Sequence, residues 1–116
     1  MQFDDSSPIF LQLAAMLEDG IVSGAYPEET QVPSTPEIAV GYKINPATAL
    51  KGMNLLVERG LLYKKRGLGM YVAAGAREKL LAERREGFRS RYIEPLLEEA
   101  EKLEINREEL RNMIGE

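Results

Sequence analysis

The chain has 116 residues, a hydrophobic content of 44% and a net charge of −4, which suits one compact domain with a small appendage. It contains no cysteine and no histidine, which excludes disulfides, thiolate zinc sites and histidine-based catalysis, so we expect neither an enzyme nor a cofactor. No apolar run approaches the ~20 residues that cross a membrane, and the polar N-terminus predicts no secretory signal, so we expect a cytoplasmic protein.

The first predicted helix begins at Ser7 and Pro8. Ser7 suits the N-cap, and Pro8 suits the first helical position, where its missing N–H is not needed. Apolar residues then recur every four positions, at Ile9, Leu13, Leu17 and Ile21. Gly24 fits the end of the helix, and a loop rich in proline and polar residues follows it.

A second helix is predicted by a capping box. Ser34 is the expected N-cap, and Glu37 stands at the position that bonds back to it. The short helix should run to about Val40 and end at Gly41.

The third helix should begin at Asn45 and Pro46, an N-cap followed by a proline at the first helical position. Its expected apolar face contains Ala49, Met53 and either Leu56 or Val57, and Leu50 adds to it. Gly60 should end the helix. Two short helices about four residues apart have the spacing of a helix-turn-helix.

A basic β-hairpin is predicted after Gly60. In residues 61–66, every second residue is expected on the same face of a strand, with Leu62, Lys64 and Arg66 on one face and Leu61, Tyr63 and Lys65 on the other. Gly67 and Gly69 supply a turn, and strand-forming residues follow. Residues 1–41 contain seven acids and no Lys or Arg, whereas residues 42–72 contain six cations and one acid. This asymmetry indicates a local anion-binding surface.

The C-terminal residues predict further helices. A helix should cover residues 76–104 and be kinked or restarted by Pro95. Asn106 and Glu109 form another capping signal, and they predict a last short helix. The acid-rich stretch 94–109 is interpreted as a solvated helix face rather than a metal site.

The order of three helices and a hairpin predicts a winged helix-turn-helix that binds double-stranded DNA. The fold class is mainly α with a small β-hairpin: residues 1–75 form the DNA-binding domain, and residues 76–116 form a C-terminal helical dimerisation segment. Thr48 and Lys51 are expected to read bases, while the hairpin cations and the start of the third helix hold phosphates. The residues expected to contact DNA are Ser34, Thr35, Lys43, Asn45, Pro46, Ala47, Thr48, Lys51, Lys64, Lys65, Arg66, Gly67 and Gly69.

A homodimer is expected because one domain of this size offers few contacts for specific binding, and two copies on an inverted repeat double them. The C-terminal segment should supply the dimer interface, with a set of apolar residues buried between the subunits or against the winged domain: Leu81, Phe88, Tyr92, Leu96 and Leu103.

Residues 8–72 resemble the DNA-binding domain of GntR-family bacterial transcription regulators. The matching pieces are Pro8 with Leu13, Ile21-Val22-Ser23-Gly24, Val32-Pro33-Ser34, Asn45-Pro46-x-Thr48, Leu56-x-x-x-Gly60-Leu61-Leu62 and Arg66-Gly67-x-Gly69-x-Tyr71-Val72. The Asn-Pro start and the short tail are similar to the small YtrA-type subfamily. That resemblance implies dimerisation through the C-terminal helices, genes that accompany transporter genes, and a nucleoid-associated repressor without enzymatic activity.

The sequence departs from the family pattern at several positions where arginine is usual. Pro36 and Leu50 occupy two of them, and Lys51 stands where the subfamily often has arginine. Lysine lacks the two-pronged contact that arginine makes with guanine. An interaction adaptor with weak, non-specific DNA binding is therefore the main alternative, and a small enzyme is the more distant one. A small-molecule effector bound near Phe88 and Tyr92 is a variant of the regulator hypothesis.

Overall fold

The computed structural model describes residues 3–115. These residues form two compact units, the first ending at Leu81 and the second beginning at Ala82. The elements up to Phe88 are α1 (Ile9–Ser23), α2 (Thr35–Tyr42), α3 (Pro46–Glu58), β1 (Leu62–Lys65), β2 (Gly69–Val72) and α4 (Ala76–Phe88). A π-helical turn (Arg89–Ile93), α5 (Glu94–Lys102) and α6 (Arg107–Ile114) follow. The predicted fold class, mainly α with a small antiparallel hairpin, is confirmed.

Helix α1 begins one residue later than the sequence indicated. Pro8 is the N-cap, and no side chain caps the first turn, so the prediction for Ser7 was wrong. The Gln12 amide instead donates to the carbonyl oxygens of Ser7 (2.7 Å) and Asp4 (2.9 Å). The main chain before the helix is therefore held by a side chain from within it.

The α1 stripe is buried only in part. Leu13, Leu17 and Ile21 lie in the core, but Ile9 is exposed. A spacing of four residues advances by about 40° per step around a helix with 3.6 residues per turn, so the stripe drifts off the buried face. Gly24 ends the helix in the left-handed conformation at φ 88°, as predicted.

Helix α2 has the predicted capping box. The Ser34 hydroxyl accepts from the Glu37 N–H (3.1 Å), and the Glu37 carboxylate accepts from the Ser34 N–H (3.0 Å). The bond from the Ser34 backbone, and after it an interaction of the carboxylate with the Ser34 side chain, lower the pKa of Glu37. The prediction that Gly41 ends the helix was wrong, because the chain stays helical through Tyr42 and turns at Lys43, at φ 54°.

Helix α3 begins and ends as predicted. The Asn45 side chain accepts from the Ala47 N–H (2.7 Å), and Gly60 follows the helix at φ 74°. Close packing against α1 depends on Gly52, where an added Cβ would lie 2.9 Å from the Phe10 carbonyl oxygen. Leu50 is 41% exposed, so its placement on the buried face was wrong.

The hairpin pairs Leu62 with Val72 and Lys65 with Gly69. A segment that sequence analysis had interpreted as loop extends this sheet. The Val32 N–H donates to the Met70 carbonyl (3.0 Å), and the Val72 N–H donates to the Thr30 carbonyl (3.0 Å). The hairpin is thus attached along one edge to the chain that precedes α2.

In the second unit, the predicted disturbance at Pro95 takes the form of the π-helical turn. The Glu94 N–H bonds to the Arg89 carbonyl, five residues back. Pro95 follows in the first turn of α5, where its missing N–H is tolerated. The Asn106 cap of α6 is confirmed, since its side chain accepts from the Glu109 N–H (2.8 Å). Within residues 3–115, no helix is both long enough and apolar enough to cross a membrane.

Candidate nucleic-acid interface

A groove runs between the start of α2 and the hairpin, which we call the wing groove. It is lined by Ser34, Thr35, Pro36, Met53, Lys64, Lys65, Arg66, Gly67, Gly69 and Met70. The Thr35 hydroxyl lies 3.3 Å from the Met53 sulfur, which joins α2 to α3 at the groove floor. The structure therefore brings together seven of the thirteen residues expected to contact DNA, from two elements separated by some 30 positions in sequence.

The three cations that line this groove are exposed, and so is Lys43 in the turn before α3. Lys64, Lys65, Arg66 and Lys43 all have exposed side chains. Among residues 3–115, none of these four forms an ion pair with a carboxylate. The Lys65 ammonium lies 4.4 Å from the centre of the Tyr71 ring, which offers a cation–π contact without neutralising the charge. Such a surface suits a polyanion.

The start of α3 has few backbone N–H groups that are free to bind a ligand. Pro46 has no N–H, and the Ala47 N–H is already bonded to Asn45. The Ala49 N–H bonds to the Asn45 carbonyl (3.0 Å). Among the described residues, the Thr48 N–H is left without a protein acceptor in this first turn, at the positive end of the helix dipole. One phosphate contact is what such an end can supply.

Lys51 lies toward α1, and neither Lys51 nor Thr48 lines the wing groove. The Lys51 ammonium is 4.2 Å from the centre of the Phe10 ring, and Thr48 is half-buried. Lys51 and Phe10 share a second, shallow groove with Ala47, Leu50 and Asn54. Lys51, one of the two residues expected to read bases, thus shares its groove with the apolar side chains of Ala47 and Leu50.

The hairpin tip is held by Gln31, which the sequence did not identify. Its side-chain amide donates to the Leu68 carbonyl, and an added Cβ at Gly69 would lie 2.7 Å from that same amide nitrogen. Gly69 also has φ 114°, a conformation that favours glycine. In the sequence, only the apolar Val32 within a polar stretch indicates that residues 30–32 pair with the hairpin.

The base of the hairpin is fixed by aromatic packing. Tyr63 and Tyr71 are cross-strand partners whose ring centres lie 6.0 Å apart. The Tyr63 hydroxyl donates to the Glu29 carboxylate (2.8 Å), and this bond raises the pKa of Tyr63. The basic tip therefore extends from a well-supported base.

The residues expected at a dimer interface lie mostly on an exposed apolar face of the second unit. Phe88, Tyr92, Leu96 and Leu103 are exposed, and the rings of Phe88 and Tyr92 lie 5.5 Å apart. Leu81 is half-buried and belongs to the first unit. We call the four exposed residues the tail face.

Comparison with known proteins places this geometry in context. A family model described as "Bacterial regulatory proteins, gntR family" matches residues 10–72. The HTH-type transcriptional regulator YhcF of Bacillus subtilis is 31% identical over 109 residues, which cover 89% of this chain and 90% of YhcF.

Solved structures show the same fold. A GntR family transcriptional regulator from Listeria monocytogenes matches with a TM-score of 0.76 and 27% identity over 97% of each chain. A structure of AraR(DBD) in complex with operator ORX1 matches with a TM-score of 0.57 and 25% identity, over 63% of this chain and 93% of that one.

Proposed function

The chain belongs to the gntR family of bacterial regulatory proteins, and from this premise we propose that it binds an inverted-repeat operator as a homodimer and represses transcription. The observation that carries the proposal is the wing groove. Exposed cations that form no ion pair among residues 3–115 line it together with the capped start of α2. A duplex surface presents the complementary pattern, with regularly spaced phosphates flanking base edges.

The proposed division of labour follows from side-chain chemistry. Lys64, Lys65 and Arg66 hold phosphates along the hairpin, while Ser34 and Thr35 contact the backbone from the start of α2. The outer side of α3 enters the major groove, as in other helix-turn-helix proteins. Gly67 and Gly69 let the hairpin turn tightly enough for its main chain to approach the sugar-phosphate edge.

The dimer is proposed from the tail face. Four large apolar side chains on one short helical unit are costly to leave in water, and a second copy is self-complementary to them. A two-fold dimer places its two α3 helices on half-sites about 34–36 Å apart, one turn of DNA.

The biological setting is proposed from the family resemblance. The Asn45-Pro46 start and the helical tail support a place in the YtrA-type subfamily, and this makes transporter genes the proposed targets. A dimer seated on a promoter denies the same DNA to RNA polymerase, so repression is the simplest outcome. The protein would work in the cytoplasm, at the nucleoid.

The test is fluorescence anisotropy with labelled DNA from upstream of the protein's own gene, beside a shuffled duplex, at several salt concentrations. The proposal predicts binding to the native fragment that is well above the shuffled control and steeply salt-dependent. Equal, weak binding to both duplexes would contradict it and favour the adaptor.

A further inference from the structure

The outer side of α3 presents apolar side chains where a DNA-reading helix ordinarily presents polar ones. Leu50 is 41% exposed, and Ala47, three residues earlier, is also exposed. Residues three apart are neighbours on a helix, so these two side chains form one surface. Leu50 is likewise three residues before Met53, which lines the wing groove beside Thr35. Leu50 and Ala47 themselves line the shallow groove that α3 shares with Phe10.

Polar residues of α3 share this surface but leave both apolar side chains exposed. Lys51 and Asn54 line the same shallow groove as Leu50 and Ala47, and the Lys51 ammonium lies over the Phe10 ring. Leu50 and Ala47 are both exposed there. A ligand that meets this side of α3 therefore meets two apolar side chains beside the polar ones.

Exposed cations lie on the segments that precede and follow α3 in the chain. Lys43 is in the turn before α3, and Lys64 and Arg66 are in the hairpin after it. If these cations hold phosphates on either side, the surface between them meets the base edges. In the major groove, the apolar group on a base edge is the C5-methyl of thymine.

We propose that α3 recognises thymine methyl groups through Leu50 and Ala47, so that the operator carries thymines where these side chains meet the major groove. The inference rests on the proposed function and names the chemistry of its base readout. Neither side chain donates or accepts a hydrogen bond, so base discrimination at these positions comes from apolar contact alone.

The test begins by selecting duplexes from a random-sequence pool with the full chain. The best duplex is then synthesised with deoxyuridine in place of thymine, one position at a time, which removes the methyl and keeps the base pair. Burial of one methyl-sized group corresponds to about a fourfold change in affinity. The wild-type protein should lose about that factor at one or more positions in each half-site.

The matched variants are Leu50→Ala and Leu11→Ala. Leu11 is 42% exposed on α1 and lines neither groove, so it controls for loss of an exposed leucine. Leu50→Ala should bind thymine and deoxyuridine duplexes with nearly equal affinity at the sensitive position. Leu11→Ala should keep the wild-type fourfold loss.

The outcomes separate failure of the methyl readout from failure of the regulator proposal. If selection enriches a sequence but every deoxyuridine duplex binds the wild type like its thymine parent, the methyl readout is wrong and the regulator proposal stands. A Leu50→Ala protein that keeps the full deoxyuridine penalty also overturns the assignment. If no sequence is enriched, both proposals fail together.

Discussion

The wing groove and the tail face are both exposed, but their chemistry is opposite. The wing groove belongs to a unit with a continuous core of buried residues drawn from α1, α2, α3, the hairpin and the start of α4. In the second unit, Ala100 and Leu110 are buried, while larger apolar side chains such as Tyr92 (57% exposed) and Leu103 (61%) are not. The first unit thus has its own core and carries exposed cations at the wing groove, whereas the second buries few apolar side chains and leaves those of the tail face exposed.

The two units differ in how much apolar surface they bury. The first unit has a packed core that stabilises it against the repulsion between the cations on its surface. The second unit has little core per residue and gains from covering its apolar face.

The largest expected effect is on dimerisation. Leu96→Glu would place a charge in the proposed interface, and burying an unpaired carboxylate costs several kcal/mol. We expect a monomer at micromolar concentration, as measured by light scattering. Val40→Glu is the control, because it charges an exposed apolar residue on α2, in the first unit, and should leave the dimer intact. An intact Leu96→Glu dimer would rule out the tail face as the interface.

The next effect concerns the core of the first unit. Gly52→Ala forces a Cβ against the Phe10 carbonyl and Leu13, and crowding of this kind costs about 1–3 kcal/mol. Gly41 is also helical but has no heavy atom within 4 Å of an added Cβ. Gly41→Ala should therefore stabilise by about 0.5–1 kcal/mol. Urea unfolding of both variants measures the pair, and equal effects would contradict the close α1–α3 contact.

Phosphate binding by the hairpin is tested through salt dependence. Lys65→Ala combined with Arg66→Ala should weaken binding to specific and shuffled DNA alike. It should also reduce the slope of log affinity against log salt by about two, since each phosphate contact contributes about 0.9. Lys102→Ala in α5 removes a cation from the second unit and should leave the slope unchanged. A loss restricted to one DNA sequence would mean that these cations read bases.

The smallest effect is on acid stability. The pKa of Glu37 is lowered in the folded state by its bonds from Ser34, so the ionised form favours folding. This contribution is present above the unfolded pKa, near 4.5, and is lost as the pH falls through the lowered folded value. Glu37→Gln should therefore be less acid-sensitive than the wild type in thermal melts below that pH. Identical pH dependence of the two proteins would show that the capping bond is not formed in solution.

Local signals explain what the sequence could predict. The caps at Ser34, Asn45 and Asn106 depend on residues within three positions, and all three are present in the structure. The hairpin followed from alternation and two glycines. The errors at Ser7 and Gly41 were also local, because a proline N-cap and a left-handed lysine took the expected roles.

What sequence could not predict depends on distant contacts. The bond from Gln31 to Leu68 joins residues 37 positions apart, and no local sequence pattern predicts it. The exposure of Leu50 depends on where α1 and α2 pack against α3, which helical periodicity alone does not decide. Lys51 could be placed on the outer side of α3, but its position over Phe10 required the α1–α3 packing.

The most direct test of the two-region account compares one half-site with the complete inverted repeat, for the wild type and Leu96→Glu, by anisotropy. The account predicts that the wild type binds the repeat far more tightly than the half-site, while Leu96→Glu keeps the half-site affinity and loses the gain on the repeat. If Leu96→Glu bound the repeat like the wild type, or lost half-site binding as well, DNA contact and dimerisation would not be divided between the wing groove and the tail face.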